Sequence, residues 1–172
     1  RELVSSWGES IRHMSNVVIG WGEKTGVIDD FLRTVLEELN EKYKDYFDSV
    51  KSVLYFGDMS SKNVMIHNGQ FSGLVDLDSL AQGDHLETIG RIKASWYGSH
   101  HGAVYTEAVM DAEGLDAEQR KIVTMYALLN RTYWTMENGV QFNQNTKAVV
   151  NLDADKENKQ KVKQLYDELQ RA

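Results

Sequence analysis

Asp58, Asn63 and Asp76 are the residues whose types and spacing are best suited to chemistry. Asp58 opens the run Asp58-Met59-Ser60-Ser61-Lys62-Asn63, and Asp76 follows after a short hairpin. A carboxylate, an amide and a second carboxylate in this order suit phosphoryl transfer to a hydroxyl. Asp58 would take the acceptor's proton, and Asn63 with Asp76 would hold Mg²⁺. The step from Asp58 to Asn63 on a tight loop lets the carboxylate face the acceptor while the amide faces the metal. The strand pair that follows returns the second carboxylate to the same ion. Each residue alone reads as a turn former. The joint spacing, with Gly57 before it and Val75-Asp76-Leu77-Asp78 behind it, gives the pattern its weight. Two carboxylates near one point repel unless a cation lies between them.

Other residues hold more than one reading. Asp78 is a substrate-binding candidate that could also assist the metal, and a solvated turn residue is the alternative. Asp84 is a second substrate-binding candidate, against a role capping the next helix or anchoring the loop. Lys62 could neutralise phosphate, although an exposed lysine is the default. His100-His101 lacks a third ligand at a suitable spacing. Trp96, Tyr97, Tyr133 and Trp134 offer an aromatic wall for a cation, with helix packing as the alternative. The acidic cluster Asp111, Glu113, Asp116 and Glu118 reads as a solvated helix entrance.

These residues need a scaffold. Ile28, Phe31, Leu32, Val35, Leu36, Leu39, Tyr43 and Tyr46 recur at helical spacing, which predicts an amphipathic helix over 28–47. Asp29 and Asp30 suit its start. A short helix is expected near 2–14. Val53-Leu54-Tyr55-Phe56 is an apolar run leading into the motif. Residues 63–67 and 71–75 read as strands joined by Asn68-Gly69, a strong hairpin signal because both residues tolerate positive φ. Helices are expected over 86–97 and 116–136, the second with Asp116 and Gln119 in capping-box spacing. Residues 139–152 read as loop, and a last amphipathic helix is expected over 155–170. The fold class is α+β, mainly α-helical, with one hairpin carrying the chemistry.

Composition narrows the rest. At 172 residues, with 41% hydrophobic and 26% charged residues, the chain fits a single globular domain over 1–172. A net charge of −7 argues against a nucleic-acid or anionic-membrane partner and suits cationic small molecules. The absence of Cys excludes disulfides, thiolate metal sites and a Cys nucleophile. No apolar run approaches the ~20 residues of a membrane span, and no signal peptide opens the chain. A cytoplasmic location is the expectation.

Gly57, Asp58 and Asn63, then Val75-Asp76-Leu77-Asp78, then Gly83-Asp84, together resemble the aminoglycoside phosphotransferase and choline kinase group. The strong match covers about 40 residues. Its small-molecule kinases share the protein-kinase fold. Phe56 stands where the family has His, the loop lacks the family's Pro, His85 stands where Pro follows Gly-Asp, and Thr88 stands near another family Asp. The resemblance implies the C-terminal lobe of a kinase-like fold. It implies an ATP-dependent phosphotransferase, or one using another nucleoside triphosphate, that acts with Mg²⁺ on the hydroxyl of an amino sugar, amino alcohol or similar molecule. Asp58 would be catalytic, and Asn63 and Asp76 would be metal ligands. Phe56 keeps a non-catalytic, kinase-like binding module as the alternative. Before Asp58 there is no glycine-rich nucleotide loop, and Trp21-Gly22-Glu23-Lys24-Thr25 is not a Walker loop. The nucleotide lobe is therefore expected outside this sequence, which alone is not expected to transfer phosphate.

Overall fold

The computed structural model describes residues 6–59, 61–142 and 148–172. It has seven α-helices and four short strands among those residues. Contacts divide the chain into two compact units. One comprises residues 1–50 and 128–172, and the other residues 51–127.

The first unit is helical. Helix α1 (Trp7–Thr25) starts at Ser6, whose side chain accepts from the Glu9 N–H, and ends at Gly26 in the left-handed region, φ 74°. Its length exceeds the helix expected near 2–14, of which residues 2–5 lie outside the described residues. Gly22, inside this helix, is used for packing. A Cβ at Gly22 would collide with the Met136 sulfur and Ile28. Tertiary contact thus outweighs glycine's poor helix propensity.

The helix expected over 28–47 divides into α2 (Asp30–Lys42) and α3 (Lys44–Ser49), with Tyr43 between them. The stripe survives the break: Leu32, Val35, Leu36, Leu39, Tyr43 and Phe47 are all buried. Asp29 caps α2 by accepting from Leu32 N–H at 2.9 Å. Helix α7 (Leu152–Arg171) buries Val162, Leu165 and Leu169. Its Tyr166 hydroxyl donates to Glu38 at 2.8 Å, and Lys159 reaches Asp29 at 3.3 Å. Helix α6 (Ala117–Met136) contributes its residues from Leu128 onward to this unit and the earlier ones to the other. Within the first unit the Tyr133 hydroxyl meets the Ser15 hydroxyl at 2.8 Å and donates to Ile11 O at 3.1 Å. Trp134 lies under the Arg131 guanidinium at 5.7 Å. Tyr133 and Trp134 thus take the packing alternative. Part of the loop expected over 139–152, namely residues 143–147, lies outside the described residues.

The second unit carries the strands. Strand β1 (Val53–Phe56) pairs antiparallel with β4 (Leu80–Gly83), from Val53 opposite Gly83 to Phe56 opposite Leu80. Strands β2 (Val64–His67) and β3 (Gln70–Leu74) form the expected hairpin. Asn68 and Gly69 close it with φ of 50° and 75°, the pair of positive values that a tight primed turn needs. The register shifts between Met65 and Ile66.

Helix α4 (Leu86–Ser95) and helix α5 (His100–Ala112) follow β4. A Cβ at Gly90 would collide with that of Tyr126, so glycine permits the close crossing of α4 on α6. The capping box of α6 is reciprocal: Gln119 N–H donates to Asp116 Oδ1 at 2.9 Å, and Asp116 N–H donates to Gln119 Oε1 at 3.0 Å. Among the described residues, no helix is long and apolar enough to cross a membrane.

Candidate active site

The backbone between β1 and β2 closes on itself through Asn63. Its Nδ2 donates to the carbonyl oxygen of Asp58 at 3.1 Å. Asn63 is 4% exposed, so this bond is sheltered from water. A single 3-10 turn, Ser61–Asn63, brings the amide to that position. With Nδ2 turned to Asp58, Oδ1 is the atom of Asn63 able to meet a cation.

The backbone of Asn63 then reaches the second carboxylate. Val75 N–H donates to Asn63 O at 3.0 Å, which sets Asp76 one residue beyond the end of the loop. Asp76 has φ 65° and ψ 50°. This left-handed conformation is uncommon for a side chain other than glycine, and Asp tolerates it better than most. It leads into a second 3-10 turn, Leu77–Ser79. Ser79 O in turn accepts from Gly57 N–H at 2.9 Å. A Cβ at Gly57 would stand 3.1 Å from that oxygen, so the bare glycine lets the two loops meet.

Charge is concentrated here. Lys62 Nζ lies 3.3 Å from Asp58 Oδ2. The Asp78 carboxyl hydrogen-bonds Asp76 and repels its charge, which holds the Asp76 proton affinity above the ordinary carboxylate range. Asp58 adds to that repulsion and Lys62 opposes it. Asp58, Lys62, Asn63, Asp76 and Asp78 therefore share one neighbourhood. A hard divalent cation would relieve the Asp76–Asp78 repulsion, and oxygen donors are what Mg²⁺ prefers. The Asp76 carboxylate and Asn63 Oδ1 are oxygen donors of the kind that ion takes.

Asp84 is placed differently from the other candidates. It is 5% exposed. Its Oδ1 accepts from Leu86 N–H at 3.0 Å and its Oδ2 from the Tyr126 hydroxyl at 2.9 Å. Both oxygens are committed within the fold, which favours the capping and anchoring reading.

Several supports of the loop were invisible in the sequence. Thr88 Oγ1 donates to Phe56 O at 2.6 Å, and the Tyr105 hydroxyl donates to Met59 O at 3.2 Å. These bonds hold the loop on both sides of Asp58. Tyr105 also packs against Trp96 and His101, with centroids 5.6 and 6.4 Å away. His101 is thus part of a ring cluster, and among the described residues no three His, Cys, Asp or Glu side chains group as a metal cage. The Tyr55 hydroxyl donates to buried Glu87 at 3.0 Å, and Glu87 faces Arg91 at 3.8 Å. Burial, then the Glu87 charge, pushes the Tyr55 hydroxyl well above its usual range.

No family model matches the sequence, and no curated protein matches it. Among solved structures the chain is similar to the crystal structure of a thermostable mutant of aminoglycoside phosphotransferase APH(4)-Ia in its apo form. The two share 14% identity at a TM-score of 0.64, over 94% of this chain and 52% of that one. The chain thus spans about half the length of that protein. At this identity the likeness defines the fold: α+β, mainly helical and kinase-like, as the sequence led one to expect.

Proposed function

We propose that this chain forms the catalytic lobe of a phosphotransferase that moves the γ-phosphoryl of ATP, or another nucleoside triphosphate, to the hydroxyl of a small molecule. The observation that carries the reading is the closure of the loop. Asn63 binds the Asp58 carbonyl, and its own carbonyl is bonded by the residue before Asp76. The fold likeness to an aminoglycoside phosphotransferase supports it.

In this reading Asp58 orients the acceptor hydroxyl and receives its proton. The hydroxyl oxygen bonds to the γ-phosphorus, the bond to the β–γ bridging oxygen breaks, and that electron pair leaves on the diphosphate. Mg²⁺, when bound, neutralises phosphate charge and fixes its geometry. Asn63 and Asp76 present the oxygens that would hold it. The bonds around Asp58 hold the backbone that carries its carboxylate, and most of the barrier reduction comes from such positioning and fixed charge. The surplus of negative charge favours an acceptor carrying an amine, such as an amino sugar or amino alcohol.

The test is Mg²⁺-dependent release of nucleoside diphosphate by the full-length protein against amino sugars, amino alcohols and neutral sugars. Release with one acceptor, abolished in Asp58→Asn and Asp76→Asn, is the expected result. Nucleotide binding without release for any acceptor would favour the non-catalytic module, for which Phe56 in place of His is the motive. Absence of nucleotide binding would overturn both.

A further inference from the structure

We propose that Lys62 is a further catalytic residue, whose ammonium pairs with Asp58 in the free protein, is shared with the third phosphate once nucleotide binds, and passes to the transferring phosphoryl group as Asp58 takes the acceptor proton. The inference rests on the phosphotransferase reading above. Lys62 Nζ stands 3.3 Å from Asp58 Oδ2, and the lysine side chain is 69% exposed. A long, solvated stem can swing without disturbing the core. Its root is fixed, because Lys62 sits in the 3-10 turn directly before buried Asn63. The pairing is not a by-product of helical neighbours, since residues 58 and 59 belong to no helix.

The position of the ammonium matters more than the pairing. It touches the carboxylate that faces the acceptor. Its charge also acts on Asp76, the carboxylate proposed to hold the metal. In the phosphotransferase reading the γ-phosphoryl passes between the base and the metal-holding carboxylate, so the ammonium stands beside its path. An exposed ion pair contributes little to stability, so folding gives weak reason to put a lysine there.

The chemistry supplies a reason for the swing. As the acceptor oxygen bonds to phosphorus and the bridging bond breaks, the hydroxyl proton goes to Asp58. Asp58 then loses its charge and releases Lys62. At the same moment negative charge spreads over the phosphoryl oxygens and the leaving diphosphate. Lys62 keeps all three of its protons and acts by charge and hydrogen bonding alone.

The experiment compares wild type, Lys62→Met and Lys62→Arg in the full-length protein. Calorimetry would measure binding of Mg²⁺ with ADP and with the non-hydrolysable β,γ-imido analogue of ATP, alongside kcat. Lys62→Met should bind the imido analogue about tenfold more weakly with ADP binding unchanged, as expected for one lost charged hydrogen bond to the third phosphate. Its kcat should fall on the order of 10²-fold, and Lys62→Arg should recover most of both losses. The melting temperature should not move. Equal weakening of both nucleotides, or of neither, would overturn the inference. If Asp58→Asn abolishes turnover while Lys62→Met retains it, the inference falls and the phosphotransferase reading stands. If wild type binds neither nucleotide, both fall. If wild type binds nucleotide but phosphorylates nothing offered, the binding comparison decides the inference.

Discussion

Asn63 Nδ2 donates to the backbone oxygen of Asp58 over 3.1 Å, in a position almost closed to water. In the proposed reading, the side chain that would hold the metal is thereby also the clasp of the loop that would carry the base. On that reading, metal binding and loop geometry are not separable at this residue. Asn63→Ala leaves the Asp58 carbonyl without that donor in a buried place. It should cost about 1–3 kcal/mol of stability by urea unfolding, and it should remove the Mg²⁺-dependent part of nucleotide binding.

Thr88 and Tyr105 should act through the same loop. Their hydroxyls hold Phe56 O and Met59 O, the carbonyls on either side of Gly57-Asp58. Thr88→Val and Tyr105→Phe keep the shape and remove the bond. Each should lower stability by about 1 kcal/mol and kcat on the order of tenfold, because small displacement of a positioned group is costly. The KM for nucleotide should change little, which separates lost positioning of Asp58 from lost binding. Unchanged kcat in the double variant would mean that the loop holds its shape without them.

Asp76 is held in a left-handed conformation and beside a carboxylate that repels it. In the proposed reading both costs serve a cation rather than the fold. Asp76→Gly removes the carboxylate and suits φ 65°. The variant should melt at the same temperature or higher without Mg²⁺, and should lose the stabilisation that Mg²⁺ with nucleotide gives wild type. A fall in melting temperature without Mg²⁺ would show that Asp76 supports the fold itself.

Much of this site was legible because its signals are local. Asn68-Gly69 forces a turn by its own backbone preferences, and Asp116 with Gln119 forms its box within one helical turn. Strand β4 was not legible, since Leu80-Ala81-Gln82-Gly83 has no alternation and exists by pairing with β1, far away in sequence. Helix α5 was hidden because its buried face is Gly102, Thr106 and Met110, a helical spacing without an apolar stripe. The roles of Thr88, Tyr105 and Tyr126 depend on hydrogen bonds across many residues, which no periodicity records.

Gly90 gives a packing test away from the loop. Its Cα faces Tyr126, and an added Cβ would collide with the tyrosine's own and come within 3.0 Å of Ala127 N. The obstacles are backbone and a Cβ, which cannot rotate aside. Ala is the better helix former by about 1 kcal/mol, so an open site would be stabilised by the change. Here the overlap should win, and Gly90→Ala should destabilise by about 1–3 kcal/mol in urea unfolding. The Tyr126–Asp84 bond should loosen with it, so solvent exchange at the start of α4 should rise as well.

Asp48 should give the first unit part of its acid sensitivity. Its Oδ2 pairs with Lys44 and its Oδ1 with Arg12, each at 2.9 Å. Hydrogen bonds from Lys44, then from Arg12, hold its carboxyl below the ordinary value near 3.8. A carboxyl depressed in the folded state binds its proton more readily when unfolded. Its contribution is therefore fully present above about pH 4 and is lost as pH falls through the lower folded value. Asp48→Asn should flatten the dependence of the urea midpoint on pH between about 4 and 2, leaving other carboxylates to supply the remaining slope. Because the pair is solvated, about 1 M salt should shrink the difference between wild type and variant. A slope in Asp48→Asn equal to that of wild type would mean that the two cations stabilise nothing.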